Sequence, residues 1–239
     1  DEVQKLLGGV YGLICIICAK LGIDVDSDTP GSIDARIIFL DYDLSKSSQV
    51  EQEAGSGDSV AGPIIDLSTF ALTRRHWNKI FSVEGEEGQK LLASYVEATN
   101  RNSPPLVGHV ELIEGGVSMV QKIPTPAHAV AGSSAVHRVV AVGGTFDHLH
   151  AGHKLLLTAT ALLLQPHSVA SPVGRRLIVG ITGDELLKNK KYAEYLNSWN
   201  QRQEDVVQFL LSVLSFTRSD RDEATMITSL DEPVPNGRA

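Results

Sequence analysis

The chain has 239 residues, of which 42% are hydrophobic and 21% are charged, a composition typical of a folded protein with one or two cores. Its formal net charge is −8 at pH 7. An acidic balance argues against a nucleic-acid groove, which needs a basic face, but it allows a small anionic ligand bound by local positive charge.

The only cysteines, Cys15 and Cys18, lie in an apolar run near the start of the chain. A Cys-x-x-Cys pair can indicate redox chemistry or zinc. Without a second pair, two small core residues are the favoured interpretation, and a reducing compartment fits. The run from Val10 to Ala19 is shorter than the about 20 residues that span a bilayer. No basic leader precedes it, so we predict a cytoplasmic protein without membrane contact.

Residues 1–121 are predicted to form a smaller α/β domain, to which the sequence assigns no role. Its predicted elements, in chain order, are a buried strand at Ala35–Asp41, a polar loop at Asp43–Gly62, a short strand at Ile64–Leu67, a helix in the second half of Arg74–Asn100 and a hairpin at Val107–Val120. Residues 122–135 are rich in proline, alanine and serine, which is typical of a linker between domains.

Residues 136–216 are predicted to form a second α/β domain with a Rossmann-like parallel sheet, because strands and helices alternate. The predicted elements are a strand at Arg138–Val142, a helix at Ala151–Leu164, a strand at Arg176–Ile181, a short helix at Asp184–Leu187 and a longer helix at Ser198–Leu214. Ligands of such sheets bind at the carboxyl ends of the strands. Residues 217–239 are polar and contain prolines, so we expect an unstructured tail.

The most informative stretch joins the first strand of this domain to its first helix, and it reads Gly-Gly-Thr-Phe-Asp-His-Leu-His-Ala-Gly-His from Gly143 to His153. Glycines let a ligand approach the main chain closely. A helix beginning near Ala151 would direct free amides and the positive end of its dipole at an anion. The glycine spacing matches neither a dinucleotide-binding fingerprint nor a Walker loop.

A metal site is an alternative interpretation of the same stretch. Asp147, His148, His150 and His153 are residue types that bind zinc, and histidines three apart can share an ion. The glycine turn and the helix start suit a phosphate group better, so we predict no protein-bound metal.

The pattern Gly-Gly-Thr-Phe-Asp-x-x-His-x-Gly-His resembles that of the HxGH nucleotidyltransferase superfamily. Together with the run from Gly180 to Lys191, it resembles the eukaryotic type of phosphopantetheine adenylyltransferase, over about residues 136–216. The resemblance implies transfer of AMP from ATP to 4′-phosphopantetheine, which gives dephospho-coenzyme A and pyrophosphate. It also implies Mg²⁺ accompanying ATP, and it makes other enzymes of coenzyme A synthesis candidate partners.

The resemblance also implies roles for individual residues. His153 would stabilise charge on the α-phosphate, with Lys188 as the second member of the catalytic set. The positions implied to contact the nucleotide are Gly143, Gly144, Thr145, His150 and Gly152. The phosphate of the acceptor would be bound by Thr145, Lys188, Lys190 and Lys191, while Asp147 and Arg202 would support the loops.

The chain departs from this pattern after residue 216. The superfamily resemblance implies a later Ser-Ser/Thr-x-x-Arg segment, which we do not find, so we expect the transferase domain to be incomplete on its C-terminal side. Three interpretations stay open: part of an adenylyltransferase, a non-catalytic module that binds phosphate, and a cytidylyltransferase acting on a phosphorylated alcohol.

Overall fold

We describe a computed structural model of the chain at residues 2–26, 29–41, 60–74, 76–101, 106–115, 136–165 and 175–216. Residues 166–174 lie outside the described residues, as do the predicted linker, the predicted C-terminal tail and most of the predicted loop at 43–62, so those predictions stay as they are.

The chain begins with helix α1, Glu2–Leu21, which is longer than the apolar run that the sequence analysis recognised. It ends at Gly22, whose φ of 67° allows the amides of Gly22 and Ile23 to bond the carbonyls of Ala19 and Cys18. By length and composition α1 could cross a membrane, and among the described residues it is the one helix that could. The expectation that this segment is too short was therefore wrong.

The rest of the first region holds two pairs of parallel strands. Strand β1 (Phe39–Asp41) pairs with β3 (Ile64–Asp66), while β2 is Val60–Ala61. Helix α2 (Leu67–Thr73) follows β3, with Asp66 as its N-cap. Strand β4 (His76–Val83), helix α3 (Glu86–Asn100) and strand β5 (Val107–Ile113) then form a β-α-β unit.

Three predictions for this region need correction. The strand predicted at Ala35–Asp41 is limited to its last three residues, and β4 occupies a stretch for which no strand was predicted. Strand β5 pairs in parallel with β4, because α3 carries the chain back across the sheet. The second strand of the predicted hairpin, at 117–120, lies outside the described residues.

The second region follows the predicted order closely. Its elements are β6 (Val139–Gly144), α4 (Ala151–Ala161), β7 (Arg176–Ile181), α5 (Asp184–Leu187), a 3-10 helix (Ala193–Tyr195), α6 (Trp199–Leu214) and β8 (Ser215–Phe216). Strands β6 and β7 are parallel, and Gly144 lies opposite Ile181. The carboxyl ends of both strands therefore lie on one edge. The predicted α/β class, with parallel strands in the second domain, is confirmed.

A hydrophobic core fixes the loop between β6 and α4. Phe146 and Leu149 from this loop are buried together with Leu157 of α4 and Phe209 and Val213 of α6. The side chains of the loop that point inward thus belong to the core. The intervening residues are left at the edge of the sheet.

The first region packs against the second. Leu7 and Tyr11 of α1 form a buried cluster with Ala151, and the Gln4 side-chain amide donates to the carbonyl of Ala159 over 3.2 Å. A second contact between the regions is made by β2, which pairs antiparallel with β8, the strand that directly follows α6. Residues on both sides of the predicted linker therefore share one packed interface.

This interface predicts that a cavity in α1 destabilises the second region. Leu7→Ala removes a side chain with no exposed surface and should lower the free energy of unfolding by about 3 kcal/mol. Urea unfolding is measured in a Trp77→Phe background, where the fluorescence comes from Trp199 and therefore monitors the unfolding of the second region. Leu6→Ala is the control, because Leu6 is 58% exposed and should change little. An unchanged Trp199 transition in Leu7→Ala would contradict the packing described.

Candidate functional site

The loop after β6 is shaped by the ring of Phe146. Phe146 is fully buried and has a φ of 53°, a left-handed conformation that is uncommon outside glycine. A Cβ on Gly144 would lie 3.1 Å from the Cζ atom of this ring. Gly144 is therefore needed for the packing of Phe146, a cause that the sequence did not reveal. Thr145 lies between them, half-buried, at the end of the strand.

His150 is the N-cap of α4, and its ring folds back over Gly152. Nδ1 of His150 accepts from the amide of Gly152 over 3.1 Å. A Cβ on Gly152 would lie 3.0 Å from Cε1 of the same ring, so glycine is required here by close approach. Because Nδ1 is an acceptor, the proton of the neutral ring must lie on Nε2. His150 thus presents an N–H donor on the side away from the helix.

His153 stacks on His150. The two ring centroids are 3.9 Å apart with an interplanar angle of 25°, and the edge of His153 meets Phe146 at 5.4 Å. Nδ1 of His153 is buried without a hydrogen-bond partner in the described structure. The pair forms a surface of imidazole nitrogens where β6 meets α4, and we call it the histidine pair.

Both imidazoles are neutral at pH 7. Burial, and then the neighbouring His150, lower the pKa of His153 to about 4, against a small opposing effect of Asp147. Burial, and then the charge of Lys154, lower the pKa of His150, while Asp26 opposes this. The histidine pair is therefore a set of neutral hydrogen-bond donors rather than two cations.

The start of α4 differs from the prediction in one respect. The amide of Ala151 donates to the carbonyl of Val25 over 3.1 Å, and the amide of Gly152 is taken by His150. The expectation that these two amides are free for an anion was wrong, because the first region and the capping ring satisfy them. An anion at this edge would meet the imidazole N–H groups first.

Asp147 and His148 face a different part of the chain. Oδ1 of Asp147 accepts from the amide of Asn197 over 2.8 Å, and Nε2 of His148 lies 3.0 Å from the carbonyl oxygen of Tyr195. The bond of Asp147 joins the loop after β6 to the segment before α6, and its supporting role stays a prediction. These contacts join Asp147 and His148 to the segment before α6, whereas His150 and His153 stack on each other. The four residues of the alternative metal interpretation therefore fall into two pairs. Within the described ranges no three histidine, cysteine or acidic side chains are grouped closely enough for an ion.

Arg202 joins the ends of both parallel strands. It is fully buried, and Nη1 donates to the carbonyls of Thr145 and Thr182 over 2.8 and 2.9 Å. Nε donates to the carbonyl of Asn197, and Nη2 pairs with Asp184 over 2.6 Å. These contacts fix the strand ends and the segments that flank the lysine run, and the supporting role of Arg202 toward the lysines stays a prediction.

The three predicted phosphate-binding lysines lie on the surface. Lys188 pairs with Glu185 over 2.6 Å, and both side chains are mostly exposed. Nζ of Lys191 lies 4.7 Å from the ring centroid of Tyr192, and Lys190 is exposed. Their binding of an acceptor phosphate stays a prediction, as does contact of Gly143 and Thr145 with a nucleotide.

Sequence reasoning missed Lys154, Asp34 and Val25. Lys154 directly follows the motif and is 1% exposed, with Nζ 2.5 Å from Oδ1 of Asp34. A signal for Lys154 was present, since it shares a helical face with the apolar Leu157 and Ala161. Asp34 and Val25 are distant in sequence and carried no such signal.

Removing the Arg202 guanidinium should destabilise the fold strongly. Arg202→Met leaves three carbonyls and Asp184 without their donor, and we expect a loss of about 3 kcal/mol in the free energy of unfolding. Urea unfolding measures this loss. Gln201→Ala, an exposed neighbour on α6, is the matched control. A loss below about 1 kcal/mol in Arg202→Met would show that the strand ends do not depend on it.

The lowered pKa of His153 predicts a pH dependence of stability. Between the ordinary value of 6.5 and about 4, the unfolded chain binds a proton at His153 that the folded chain does not bind. The free energy of unfolding should therefore fall as pH falls through this window and be unaffected by His153 above it. Urea titrations from about pH 7 to about pH 4.5 should show a shallower fall in His153→Asn than in wild type or in His109→Asn. Equal slopes would refute the assignment.

Two protein-family models match the chain. Residues 141–232 match a protein-family model described as cytidylyltransferase-like, and residues 1–119 match one described as a domain of unknown function, DUF8446. An uncharacterized protein of Schizosaccharomyces pombe is 33% identical over 138 residues, which is 57% of this chain and 38% of that protein. No solved structure matches the chain significantly.

Phosphopantetheine adenylyltransferases are among the relatives. That of Saccharomyces cerevisiae is 46% identical over 72 residues, covering 30% of this chain and 21% of the yeast protein. That of Pyrococcus abyssi is 42% identical over 71 residues, covering 30% of this chain and 39% of the archaeal one. The chain thus spans 21–39% of the length of these relatives. The predicted relationship to HxGH nucleotidyltransferases and to phosphopantetheine adenylyltransferases is confirmed.

Proposed function

We propose that the chain carries a site for adenylyl transfer from ATP to 4′-phosphopantetheine, which yields dephospho-coenzyme A and pyrophosphate. The observation that supports it most is the histidine pair: two neutral imidazoles stacked where β6 ends and α4 begins. The relatives named phosphopantetheine adenylyltransferase support the choice of substrates.

The chemistry needs positioned donors rather than a protein nucleophile. A phosphate oxygen of 4′-phosphopantetheine attacks the α-phosphorus of ATP in line, and the bond from that phosphorus to the bridging oxygen of pyrophosphate breaks. Negative charge builds on the oxygens in between. The Nε2–H of His150 is fixed by its cap bond to Gly152 and can donate to phosphoryl oxygens without reorganising. His153 lies against it and would donate to the α-phosphate.

The acceptor phosphate would be bound on the side of β7. Among the described residues, Lys188 pairs with Glu185; this pair is exposed and therefore weak, and it can exchange for a phosphate. Lys190 and Lys191 lie nearby in sequence and add positive charge. Mg²⁺ would enter with the triphosphate, since the described residues offer no cage of oxygen ligands for it.

Two other functions have specific support. The family model matched by residues 141–232 is described as cytidylyltransferase-like, which supports CTP with a phosphorylated alcohol as a second candidate pair of substrates. A non-catalytic module that binds phosphate is the third candidate, because the fixed imidazole donor of His150 can bind a phosphate whether or not transfer follows. The Lys-Asn-Lys-Lys run from Lys188 favours the pantetheine substrate.

The test is turnover of the chain with each nucleotide and acceptor. We expect pyrophosphate release with ATP and 4′-phosphopantetheine, and none with CTP and phosphocholine. Turnover with CTP alone would replace the proposal with the cytidylyltransferase. Binding of ATP without turnover under any pairing would leave the non-catalytic module.

His153→Ala should lower kcat by about two to three orders of magnitude, as expected for loss of one positioned donor. Its thermal melting should stay close to wild type, because the deleted ring nitrogen has no partner in the described structure. His109→Ala, on the exposed face of β5, is the control. A near-normal rate in His153→Ala would disprove the role given to His153.

A further inference from the structure

Two polar contacts join the N-terminal region to the first turn of α4, beside the apolar cluster of Leu7, Tyr11 and Ala151. The carbonyl of Val25 accepts from the amide of Ala151, and Asp34 pairs with the ammonium of Lys154. Val25 and Asp34 belong to one segment, and we call its described residues, 25–26 and 29–34, the buttress loop. Both contacts are made within four residues of His150.

The buttress loop is closed by its own hydrogen bonds. The amide of Ile33 donates to the carbonyl of Asp24 over 2.8 Å, and the hydroxyl of Ser32 donates to the carbonyl of Asp26 over 2.8 Å. The carboxylate of Asp26 in turn accepts from the amide of Thr29. These bonds bring the two ends of the loop together, so that Val25 and Asp34 are presented side by side.

The burial of the charged Lys154 side chain is unfavourable in free energy. Lys154 is 1% exposed, so its ammonium group loses its hydration, and the attraction to Asp34 seldom offsets the whole free energy of desolvation. An apolar residue would pack on this face of α4 beside Leu157 and Ala161. Stability alone therefore does not explain the pair, whereas a requirement to fix the turn that carries the histidine pair does.

We propose that Asp34 is a positioning residue of the histidine pair: through Lys154 it fixes the first turn of α4, so that His150 presents its Nε2–H to a phosphate. The domain of unknown function is on this account a structural part of the nucleotide site. The inference rests on the proposed function only for the identity of the ligand.

The charges around His150 give this proposal a specific electrostatic consequence. Lys154 lowers the pKa of His150 and Asp26 raises it, while His153 lies stacked on its face with Asp147 beside His153. Asp34 balances Lys154, and Arg36 pairs with the other oxygen of Asp34 over 2.7 Å. Removing Lys154 and removing Asp34 should therefore move the pKa of His150 in opposite directions.

The first experiment is NMR titration of the histidine rings in the whole chain, with His150 assigned by His150→Asn. We expect Lys154→Met to raise the pKa of His150, and Asp34→Asn to lower it because the lysine charge is then unbalanced. Arg36→Gln is the control and should change it less, since Arg36 is partly exposed. If neither Lys154→Met nor Asp34→Asn changes the pKa of His150, the ion pair does not act on this ring and the proposal is wrong.

The second experiment uses the variant with both Asp34→Asn and Lys154→Met, which leaves the net charge of the site unchanged and avoids a lone buried ion. We expect its Kd for ATP to increase at least about tenfold, because the donors are no longer held in place. Its melting temperature identifies any variant that fails to fold. A Kd within about twofold of wild type in a folded double variant would overturn the positioning role.

The two proposals fail in different ways. If the wild-type chain does not bind ATP, the proposed function is wrong, while the NMR titration still decides whether Asp34 and Lys154 control His150. If ATP binds and the double variant binds it equally well, the function stands and the positioning role fails.

Discussion

The buried guanidinium of Arg202 is the constraint on which the site depends. Its planar set of donors binds the carbonyl oxygens just beyond β6 and β7 at Thr145 and Thr182, and it also contacts Asn197 and Asp184. A lysine could not reproduce this arrangement, because its donors lie on one nitrogen. With both strand ends fixed, the loop after β6 follows a path into α4 that places His150 over Gly152.

The path of the loop between β6 and α4 also explains why the motif contains phenylalanine, histidine and glycine at these positions. Phe146 anchors the loop in the core, Gly144 makes room for its ring, and Gly152 makes room for the ring of His150. The histidines are then stacked, partly desolvated and neutral. A phosphate would meet neutral N–H donors whose geometry is already set. In the proposed function, the spacing of the motif would place these donors where negative charge develops during transfer.

The sequence predicted the second region well because its signals are local. The alternation of apolar strands and helices gave boundaries within a few residues of those observed. The first region was harder. Strand β4 is mostly exposed and lacks a buried alternating face, and α1 carries glycines that weaken a helical pattern. Long-range contacts such as Asp34 with Lys154 leave no trace in local spacing, so the buttress loop could not be predicted.

The most direct test of the account is NMR observation of the histidine rings during titration with ATP. We predict that the ring signals of His150 and His153 shift together and that their pKa values rise, since a bound anion favours the imidazolium form. The rings of His76, His109 and His137 should not change. ATP binding that leaves the histidine pair unperturbed would contradict a phosphate site where β6 meets α4.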